Sequence, residues 1–229
     1  MNVQYNEIEY PPDPHKQSIV MALDTGSPVV SVAVGVDREV VVEQSLALKE
    51  SSARLMYLID STLEQVELRL SDVNTLLGLR GPGSFTGLRV GMATLQGLTQ
   101  ALGVRVGTLS TLEVLATLGP TNDTLNLACV DALRGEWLVQ GFSDGSMLGS
   151  PQLARVEDLV TRSPCHLIGY GISKLRQQVV TGSGLTFVEP GPLAGRAIET
   201  IEEARVQWGF EGLKHPLYQR PPSAILPDR

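Results

Sequence analysis

Apolar residues in the first part of the chain come in short runs that are separated by polar turns. The runs cover residues 18–23, 29–36 and 39–46, and the polar pair Asp37 and Arg38 separates the second run from the third. Short continuous runs of apolar residues are typical of buried strands. The pattern therefore predicts three strands joined by short turns, which form an antiparallel meander.

Residues 49–70 have a different period, in which apolar side chains recur at intervals of three and four residues. That spacing is typical of an amphipathic helix, and Ser51 or Ser52 can cap its first turn. Met56 and Tyr57 widen the apolar face, which indicates either a second packing surface or a helix sunk in its own core. The recurring residues are Leu55, Leu58, Ile59, Leu63, Val66 and Leu70.

Residues 76–79 form an apolar run, a predicted strand, that leads through a glycine-rich loop into a second helix. This helix carries larger apolar residues on one side and small residues on another, and small faces allow another backbone to approach closely. A predicted strand over 104–107 and a predicted helix over 110–118 follow, and Ser110 and Glu113 have the spacing of a capping box. The small residues of the second helix are Gly87, Gly91, Gly97 and Ala101.

Residues 119–123 are rich in turn formers and mark a candidate boundary between two halves. Beyond the boundary, an apolar run over 125–130 ends in Asp131, and a small loop leads to a strand over 136–142. The same order of strand, aspartate, turn and strand opens the first half with Asp24, which predicts an internal repeat. The remaining predicted elements are helices over 156–161, 172–180 and 193–208 and strands over 166–169 and 186–188.

These patterns divide the chain into four segments. Residues 1–17 are polar and rich in proline, which predicts a flexible N-terminal tail. Residues 18–118 are predicted to form the first subdomain and residues 119–213 a second, smaller one. Residues 214–229 are predicted to form a proline-rich C-terminal tail.

Composition narrows the class of protein. The chain of 229 residues has a net charge of −7, which argues against a general nucleic-acid-binding surface. Cys129 and Cys165 lie in or beside apolar runs and are predicted to be buried thiols, as suits a reducing compartment. No apolar run has the length of a membrane span, and residues 1–17 lack an apolar secretion core. We therefore expect a cytoplasmic protein without a membrane contact.

The segment Gly81-Pro-Gly-Ser-Phe-Thr-Gly-Leu-Arg-Val-Gly91 is the sharpest local feature of the chain. Its glycines and proline predict a tight turn between a strand and a helix, with Ser84 or Thr86 as the helix cap. A loop of this kind can hold a phosphate, but the Lys that a Walker loop needs after its last glycine is absent. The alternative is a packing turn that brings the helix close to the sheet, and the spacing favours it.

Candidate catalytic groups are sparse. The histidines are isolated in the sequence, which excludes the paired ligands of a zinc protease, so we predict no catalytic residue and no metal site. Asp24 and Asp131 each end a predicted strand before a polar turn. In actin-like ATPases such turns hold nucleotide phosphates, whereas the simpler alternative is an Asx-type turn in which Asp binds its own following backbone.

Several segments of the chain resemble the TsaB family, which is also called YeaZ. The longest is the segment 81–91, and a long uninterrupted motif is more specific than a spaced one. The resemblance is strong over about the first half of the chain and thin from about residue 143 to residue 214, and Leu133 stands where the family has Arg. The other matching segments are Ala22-Leu-Asp-Thr25 with the hairpin after it, Val130-Asp-Ala-Leu-Arg-Gly-Glu136 and Pro216-Leu-Tyr-Gln-Arg220.

The resemblance implies an α/β fold of the actin/Hsp70-like (ASKHA) type, made of two ribonuclease-H-like subdomains. It implies a non-catalytic part in forming N6-threonylcarbamoyladenosine at position 37 of tRNAs that read codons starting with A. Family members pair with a TsaD-like catalytic subunit and a TsaE-like ATPase. The resemblance therefore implies no cofactor on this chain, ATP and metal on its partners, and tRNA contact only through the complex. It also implies homodimers through the helices of the first half.

The rival hypothesis is an independent ATP-binding kinase or ATPase of the same fold that uses Asp24, Thr25 and Gly26.

Three sets of candidate residues follow from the resemblance. The family signature loop is Gly81, Pro82, Gly83, Ser84, Phe85, Thr86, Gly87 and Arg89. The candidate vestigial nucleotide site is Asp24, Thr25, Gly26 and Asp131. The candidate partner interface, of which some members are expected to be core, is Leu55, Met56, Leu58, Ile59, Leu63, Leu88, Met92 and Leu95.

Overall fold

A computed structural model describes most of the chain between Gln17 and Tyr218. The described residues are 17–47, 51–121, 124–160, 164–176, 184–202 and 204–218. The predicted N-terminal tail lies outside these ranges apart from Gln17, and residues 219–229 of the predicted C-terminal tail also lie outside them.

The described elements fall into two halves that follow one plan. The elements of the first half are β1 (Ile19–Asp24), β2 (Val29–Val36), β3 (Glu39–Ala47), α1 (Ser51–Glu64), β4 (Thr75–Leu79), α2 (Phe85–Leu102), β5 (Arg105–Leu109) and α3 (Thr111–Ala116). Those of the second half are β6 (Leu125–Asp131), β7 (Glu136–Ser143), β8 (Ser146–Arg155), α4 (Val156–Val160), β9 (Cys165–Ile168), α5 (Ile172–Arg176), β10 (Leu185–Val188) and α6 (Ala194–Glu199). The chain then forms β11 (Gln207–Trp208) and α7 (Glu211–Lys214).

The two sheets repeat one topology. The first has the order β11-β5-β4-β1-β2-β3 and the second the order β10-β9-β6-β7-β8. In each, three antiparallel strands are followed by two strands parallel to the first of them. The predicted internal repeat and the predicted α/β fold of two ribonuclease-H-like subdomains are confirmed by this correspondence.

Three apolar layers hold the sheets and helices together. Helices α1 and α2 cover the outer face of the first sheet, where the core includes Ile59, Leu76 and Leu95. Helices α3 and α6 lie between the two sheets, and their apolar residues share one core with Leu79 and Ile168. The third core lies on the outer face of the second sheet, beside α4 and α5. The two halves are therefore joined through a continuous apolar layer rather than through a polar cleft alone.

The first predicted helix is shorter than its apolar period indicates. It ends at Glu64, and Glu67 adopts a left-handed conformation with φ of 56°. The amide of Leu68 then donates to the carbonyl oxygen of Leu63 at 3.0 Å, which is the hydrogen bond of a Schellman-type helix end. Leu68 and Leu70 pack against the same core from outside the helix, so they keep the apolar period without continuing the helix.

The predicted helix over 193–208 is also wrong in its second part. Only Ala194–Glu199 is helical, and Thr200 turns its hydroxyl back onto the carbonyl oxygen of Arg196 at 2.9 Å. Trp208, at the end of the predicted helix, lies in β11 and is 42% exposed. Strand β11 pairs with the free edge of β5, so tertiary pairing outweighs the helical period here.

Residues 146–155 gave no sequence signal, yet they form β8, the edge strand of the second sheet. Among the described residues no element covers one face and one edge of this strand, so nearly every residue is exposed and no apolar alternation is required.

The predicted boundary between the second subdomain and the C-terminal tail does not match the structure. Residues 207–208 pair with β5 of the first sheet, and Tyr218 bridges Gly83. The segment from β11 to Tyr218 therefore belongs to the first half, although the sequence assigned it to the second subdomain and the tail.

Candidate functional site

The signature loop between β4 and α2 is fixed by hydrogen bonds to its neighbours. The amide of Ser84 donates to the carbonyl oxygen of Gly26 at 2.7 Å, and the amide of Thr111 donates to that of Gly81 at 2.8 Å. Ser84 caps α2, since its hydroxyl accepts from the amide of Gly87 at 3.3 Å. Helix α2 therefore begins inside the motif, and the cap is Ser84 rather than Thr86.

Residues 216–218 dock on this loop. The amide of Leu217 donates to the carbonyl oxygen of Arg80 at 2.6 Å, and Tyr218 forms an isolated bridge with Gly83. The ring centroids of Tyr218 and Phe85 lie 4.8 Å apart. The guanidinium of Arg89 lies 4.0 Å from the centroid of the Phe85 ring. The two separate segments of family resemblance, 81–91 and 216–220, are thus in contact through their described residues.

Glycine is required at two positions of the motif. Gly81 has φ of 100°, and a Cβ there would overlap the carbonyl oxygen of Leu217. A Cβ on Gly91 would overlap the hydroxyl oxygen of Thr25. The motif is therefore built for close packing of backbones and helix on sheet, as the packing-turn alternative proposed.

The turn after β1 is an Asx-type turn. One carboxylate oxygen of Asp24, Oδ1, accepts hydrogen bonds from the amides of Gly26 at 3.1 Å and Ser27 at 3.2 Å. A Cβ on Gly26 would overlap the side chain of Leu88 and would lie 3.7 Å from Cα of Gly83. The amides that a phosphate would use are therefore bound by Asp24, and the space beside them is filled.

The carboxyl group of Asp24 is fully buried, and burial raises its pKa from 3.8 to about 6, against hydrogen bonds from Ser27 and Gly26 that lower it. Its second oxygen, Oδ2, has no hydrogen-bond partner among the residues that the structure describes. The hydroxyl of Ser27 is buried beside it and is likewise unpaired within the described chain.

Asp131 occupies the corresponding place at the end of β6. Its Oδ1 accepts from the amide of Leu133 at 2.8 Å, and its Oδ2 lies 4.0 Å from Nζ of Lys174. The amide of Ala132 donates to the carbonyl oxygen of Glu136, and the three residues between them, Leu133, Arg134 and Gly135, all have positive φ. The structure therefore places Asp24, Thr25 and Gly26 together and Asp131 in the other half, and both aspartates make the simpler Asx-type contact.

The candidate interface residues separate into core and surface. Seven of the eight are at most 5% exposed and belong to the protein's own core, so the interface prediction is corrected for them. The reason is that apolar residues at helical spacing mark the face of a helix that packs on the sheet. The face that a partner would contact need not show this spacing. Met56, which is 47% exposed, is the member that remains at the surface, beside Tyr57 at 65%. The seven core residues are Leu55, Leu58, Ile59, Leu63, Leu88, Met92 and Leu95.

Two further predictions concern thiols and membrane contact. Cys129 and Cys165 are buried thiols that form no disulfide with each other, as predicted, and burial raises the pKa of Cys129 above its usual range. Across the described ranges, no helix is both long and apolar enough to cross a membrane. Within the same ranges, no group of three His, Cys, Asp or Glu side chains is placed to hold a metal ion.

Comparison with known proteins identifies the family. A family model described as TsaD, tRNA N6-adenosine threonylcarbamoyltransferase, matches residues 39–157, just over half of the chain. A relative from Escherichia coli (strain K12), named tRNA threonylcarbamoyladenosine biosynthesis protein TsaB, is 34% identical over 119 residues, 51% of this chain and 52% of that protein. The chain belongs to the TsaB (YeaZ) family. A TsaB from Bacillus subtilis (strain 168) is 30% identical over 118 residues, 51% of this chain and 52% of the relative.

This TsaB-family chain therefore matches about half the length of these curated relatives. Two solved Pseudomonas aeruginosa structures share its fold. One, described as similar to the peptidase YEAZ, has a TM-score of 0.68 at 22% identity and covers 89% of this chain and 100% of its own. The other, YeaZ itself, has a TM-score of 0.63 at 22% identity and covers 82% and 95%. At this identity the likeness shows the actin-like α/β fold alone.

Proposed function

We propose that this TsaB-family chain is a non-catalytic accessory subunit in the formation of N6-threonylcarbamoyladenosine at position 37 of tRNAs that read codons starting with A. It acts by pairing with a TsaD-like catalytic subunit. The observation that carries the proposal is the exposed surface formed by α1 and α2, which combines large apolar side chains with a row of small ones.

Helices α1 and α2 contact each other on the outer face of the first sheet, so their exposed sides form one surface. Met56 and Tyr57 stand out from α1. On α2, Ala93, Gly97 and Ala101 recur every fourth residue on the exposed side, and a Cβ on Gly97 would meet no atom within 4 Å. Large side chains beside a shallow row of small ones suit the packing of partner helices. A second copy of the chain would use the same surface.

The geometry of the two aspartate turns supports the non-catalytic role. Both turns bind their own aspartate, and the space beside Gly26 is filled by Leu88 and Gly83. ATP and metal are therefore assigned to the partners, the TsaD-like subunit and a TsaE-like ATPase. The net charge of −7 argues for tRNA contact through the complex rather than by this chain alone. We assign the protein to the cytoplasm, where these partners and tRNA are found.

An omission assay tests the role. Purified tRNA, threonine, bicarbonate, Mg-ATP, the adenylate-forming enzyme, the TsaD-like subunit and the TsaE-like ATPase from one source are combined with and without this protein. Mass spectrometry then measures the modified adenosine. We expect modification only when this protein is present. Equal modification without it would remove the proposed role.

Two controls distinguish the alternatives. Titration calorimetry of the protein alone with Mg-ATP should show no micromolar binding, whereas binding with turnover would favour the rival kinase or ATPase. Light scattering of the protein alone and mixed with the TsaD-like subunit should show a homodimer replaced by a heterodimer. Failure to form any complex would contradict pairing as the mode of action, even if the tRNA role stood.

A further inference from the structure

Strand β3 (Glu39–Ala47) is the longest strand of the first sheet, and it is also the last strand at one side of that sheet. It pairs with β2, and no strand of the described chain pairs with its other edge. An open edge presents unpaired backbone N–H and C=O groups, which another strand can bind. The edge strand β8 is interrupted by Pro151 and by Gly149 with φ of 69°, whereas β3 contains neither residue type.

The chain enters the first sheet beside the turn from which β3 starts. The amide of Ser18 donates to Oδ1 of Asp37 at 3.0 Å, and the amide of Asp37 donates to the carbonyl oxygen of Ser18 at 2.8 Å. Asp37 and Arg38 form the turn between β2 and β3. The residues that precede Gln17 are therefore attached at the end of the sheet where β3 begins.

The first sixteen residues of the chain divide into two parts. Residues 3–10 read Val-Gln-Tyr-Asn-Glu-Ile-Glu-Tyr, in which half of the residues are the strand formers Val, Ile and Tyr and none is Gly or Pro. Residues 11–16 contain three prolines, which favour an extended spacer over a paired strand.

The spacer is long enough to reach the open edge. Six residues at about 3.1 Å each span about 19 Å. A strand beside the open edge of β3 would lie three strand spacings from β1, about 14 Å at about 4.8 Å each. The eight residues before the spacer are close in number to the nine residues of β3.

We propose that residues 3–10 pair with the open edge of β3 as an antiparallel strand and extend the first sheet at that side. The direction follows from the topology. Strands β1 and β3 both run antiparallel to β2, so a segment that ends near the start of β1 runs along β3 from its end towards its start. The edge is then closed by the protein's own chain, and this pairing is independent of the proposed tRNA role.

Charge decides between two registers. Beyond the bulge at Val41, residues 42–47 form the regular part of β3, and only two registers keep residues 3–7 opposite them. One register places Glu7 opposite Glu43, and the other places Asn6 there. Like charges directly opposite each other destabilise an antiparallel pair, so the register with Asn6 is favoured.

The apolar side chains favour the same register. With Asn6 opposite Glu43, Val3 lies opposite Leu46 and Tyr5 opposite Gln44. Paired residues lie on the same face of a sheet. Leu46 packs on the core beneath α1, and the side-chain amide of Gln44 donates to Gln65 just beyond α1 at 2.7 Å. Val3 and Tyr5 would therefore extend the apolar face of the sheet beside α1.

NMR of the full-length protein tests the strand and its register. We expect cross-strand backbone NOEs that join Asn6 to Glu43 and Val3 to Leu46. A tail that samples many conformations would show no such NOEs and would overturn the proposal, as would NOEs that place residues 3–10 on another element. In a mixture of labelled and unlabelled protein, the same NOEs between molecules would assign the segment to a second copy and would also overturn it.

Amide hydrogen exchange of proline variants tests the pairing independently. Successive amides of a strand point to opposite sides, so the double variant Glu7→Pro with Ile8→Pro removes one amide that faces β3. It should raise the exchange of the remaining amides of residues 3–10 at least tenfold and should also raise that of the outward amides of β3. Asp13→Pro adds a proline to the spacer and should exchange like the wild type. Equal exchange in the wild type and the double variant would contradict the pairing.

Discussion

The amide of Ser84 donates to the carbonyl oxygen of Gly26 at 2.7 Å, so the signature loop and the turn after the first strand form one unit. The two segments are far apart in sequence, and Gly83 and Gly26 bring their backbones together without side chains between them. Both segments carry the family resemblance. The two family segments are therefore in direct contact. The signature loop orients the start of α2, and the turn after β1 is closed by hydrogen bonds to Asp24.

Two glycines of α2 provide a matched pair of substitutions that tests how closely α2 packs on the turn after β1. Gly91→Ala should destabilise the protein by about 1 to 2 kcal/mol, because the added methyl group overlaps the buried Thr25. Gly97→Ala should stabilise it by about 0.5 to 1 kcal/mol, because the position is exposed and alanine is the better helix former. Urea unfolding of both variants measures the difference. The same sign for both changes would show that the Thr25 contact does not govern Gly91.

The surface of α1 provides the test of partner binding. Tyr57→Glu should weaken binding to the TsaD-like subunit at least tenfold while the melting temperature changes little, because Tyr57 is 65% exposed. Leu148→Glu on β8 is the control, since Leu148 is 49% exposed on a different element. Surface plasmon resonance and thermal melting together measure both effects. Equal loss in the two variants would move the partner surface away from α1.

A charge on the buried side of the same helix should unfold the protein rather than weaken partner binding alone. Leu58 is 3% exposed and lies in the core under α1 and α2. Leu58→Glu buries an unpaired carboxylate, which costs several kcal/mol, so the variant should be unfolded at room temperature. Circular dichroism with a thermal scan decides this. A folded, cooperative Leu58→Glu that only lost partner binding would return Leu58 to the interface.

The docked C-terminal segment makes its own prediction. Tyr218→Ala removes the ring contact with Phe85 but keeps the backbone bridge to Gly83, and aromatic pairs contribute about 0.5 to 1.5 kcal/mol beyond their buried area. We expect a loss of about 1 to 2 kcal/mol in urea unfolding, with Tyr218→Phe close to the wild type. Wild-type stability in Tyr218→Ala would show that the ring of Tyr218 does not secure the loop.

The first half was predictable because local patterns and tertiary pairing agree there. The Val-rich hairpin of β2 and β3 shows the period of strands, and α2 lies directly after a glycine loop with a serine cap. The second half was less predictable, since β8 is an exposed edge and β11 is two residues long. Neither needs an apolar signal, and β11 exists only because β5 offers a free edge.

The candidate site shows a similar division. The Asx-type alternative for Asp24 and Asp131 follows from residue type alone, and the structure bears it out at both positions. The surface of α1 could not be separated from its core by an apolar period, because Met56 and Leu58 are both apolar and only the direction of each side chain distinguishes them. Tyr170 and Glu43 gave no sequence signal, since only the fold brings them near Asp24.

The raised pKa of Asp24 makes a prediction about stability. Folding raises the pKa of this carboxyl from 3.8 to about 6, so between these values the folded state binds more protons than the unfolded state. Its contribution to stability is therefore full below about pH 4 and is lost as the pH rises through 6. From pH 4 to pH 8 the loss should be about 2 to 3 kcal/mol. Asp24→Asn cannot ionise and should not show it.

The measurement is the difference between the unfolding free energies of Asp24→Asn and the wild type, taken at pH 4 and at pH 8, so that the other acids cancel. That difference should become more favourable to the variant by about 2 to 3 kcal/mol at the higher pH. A difference that is constant with pH would mean that folding leaves the pKa of Asp24 unchanged.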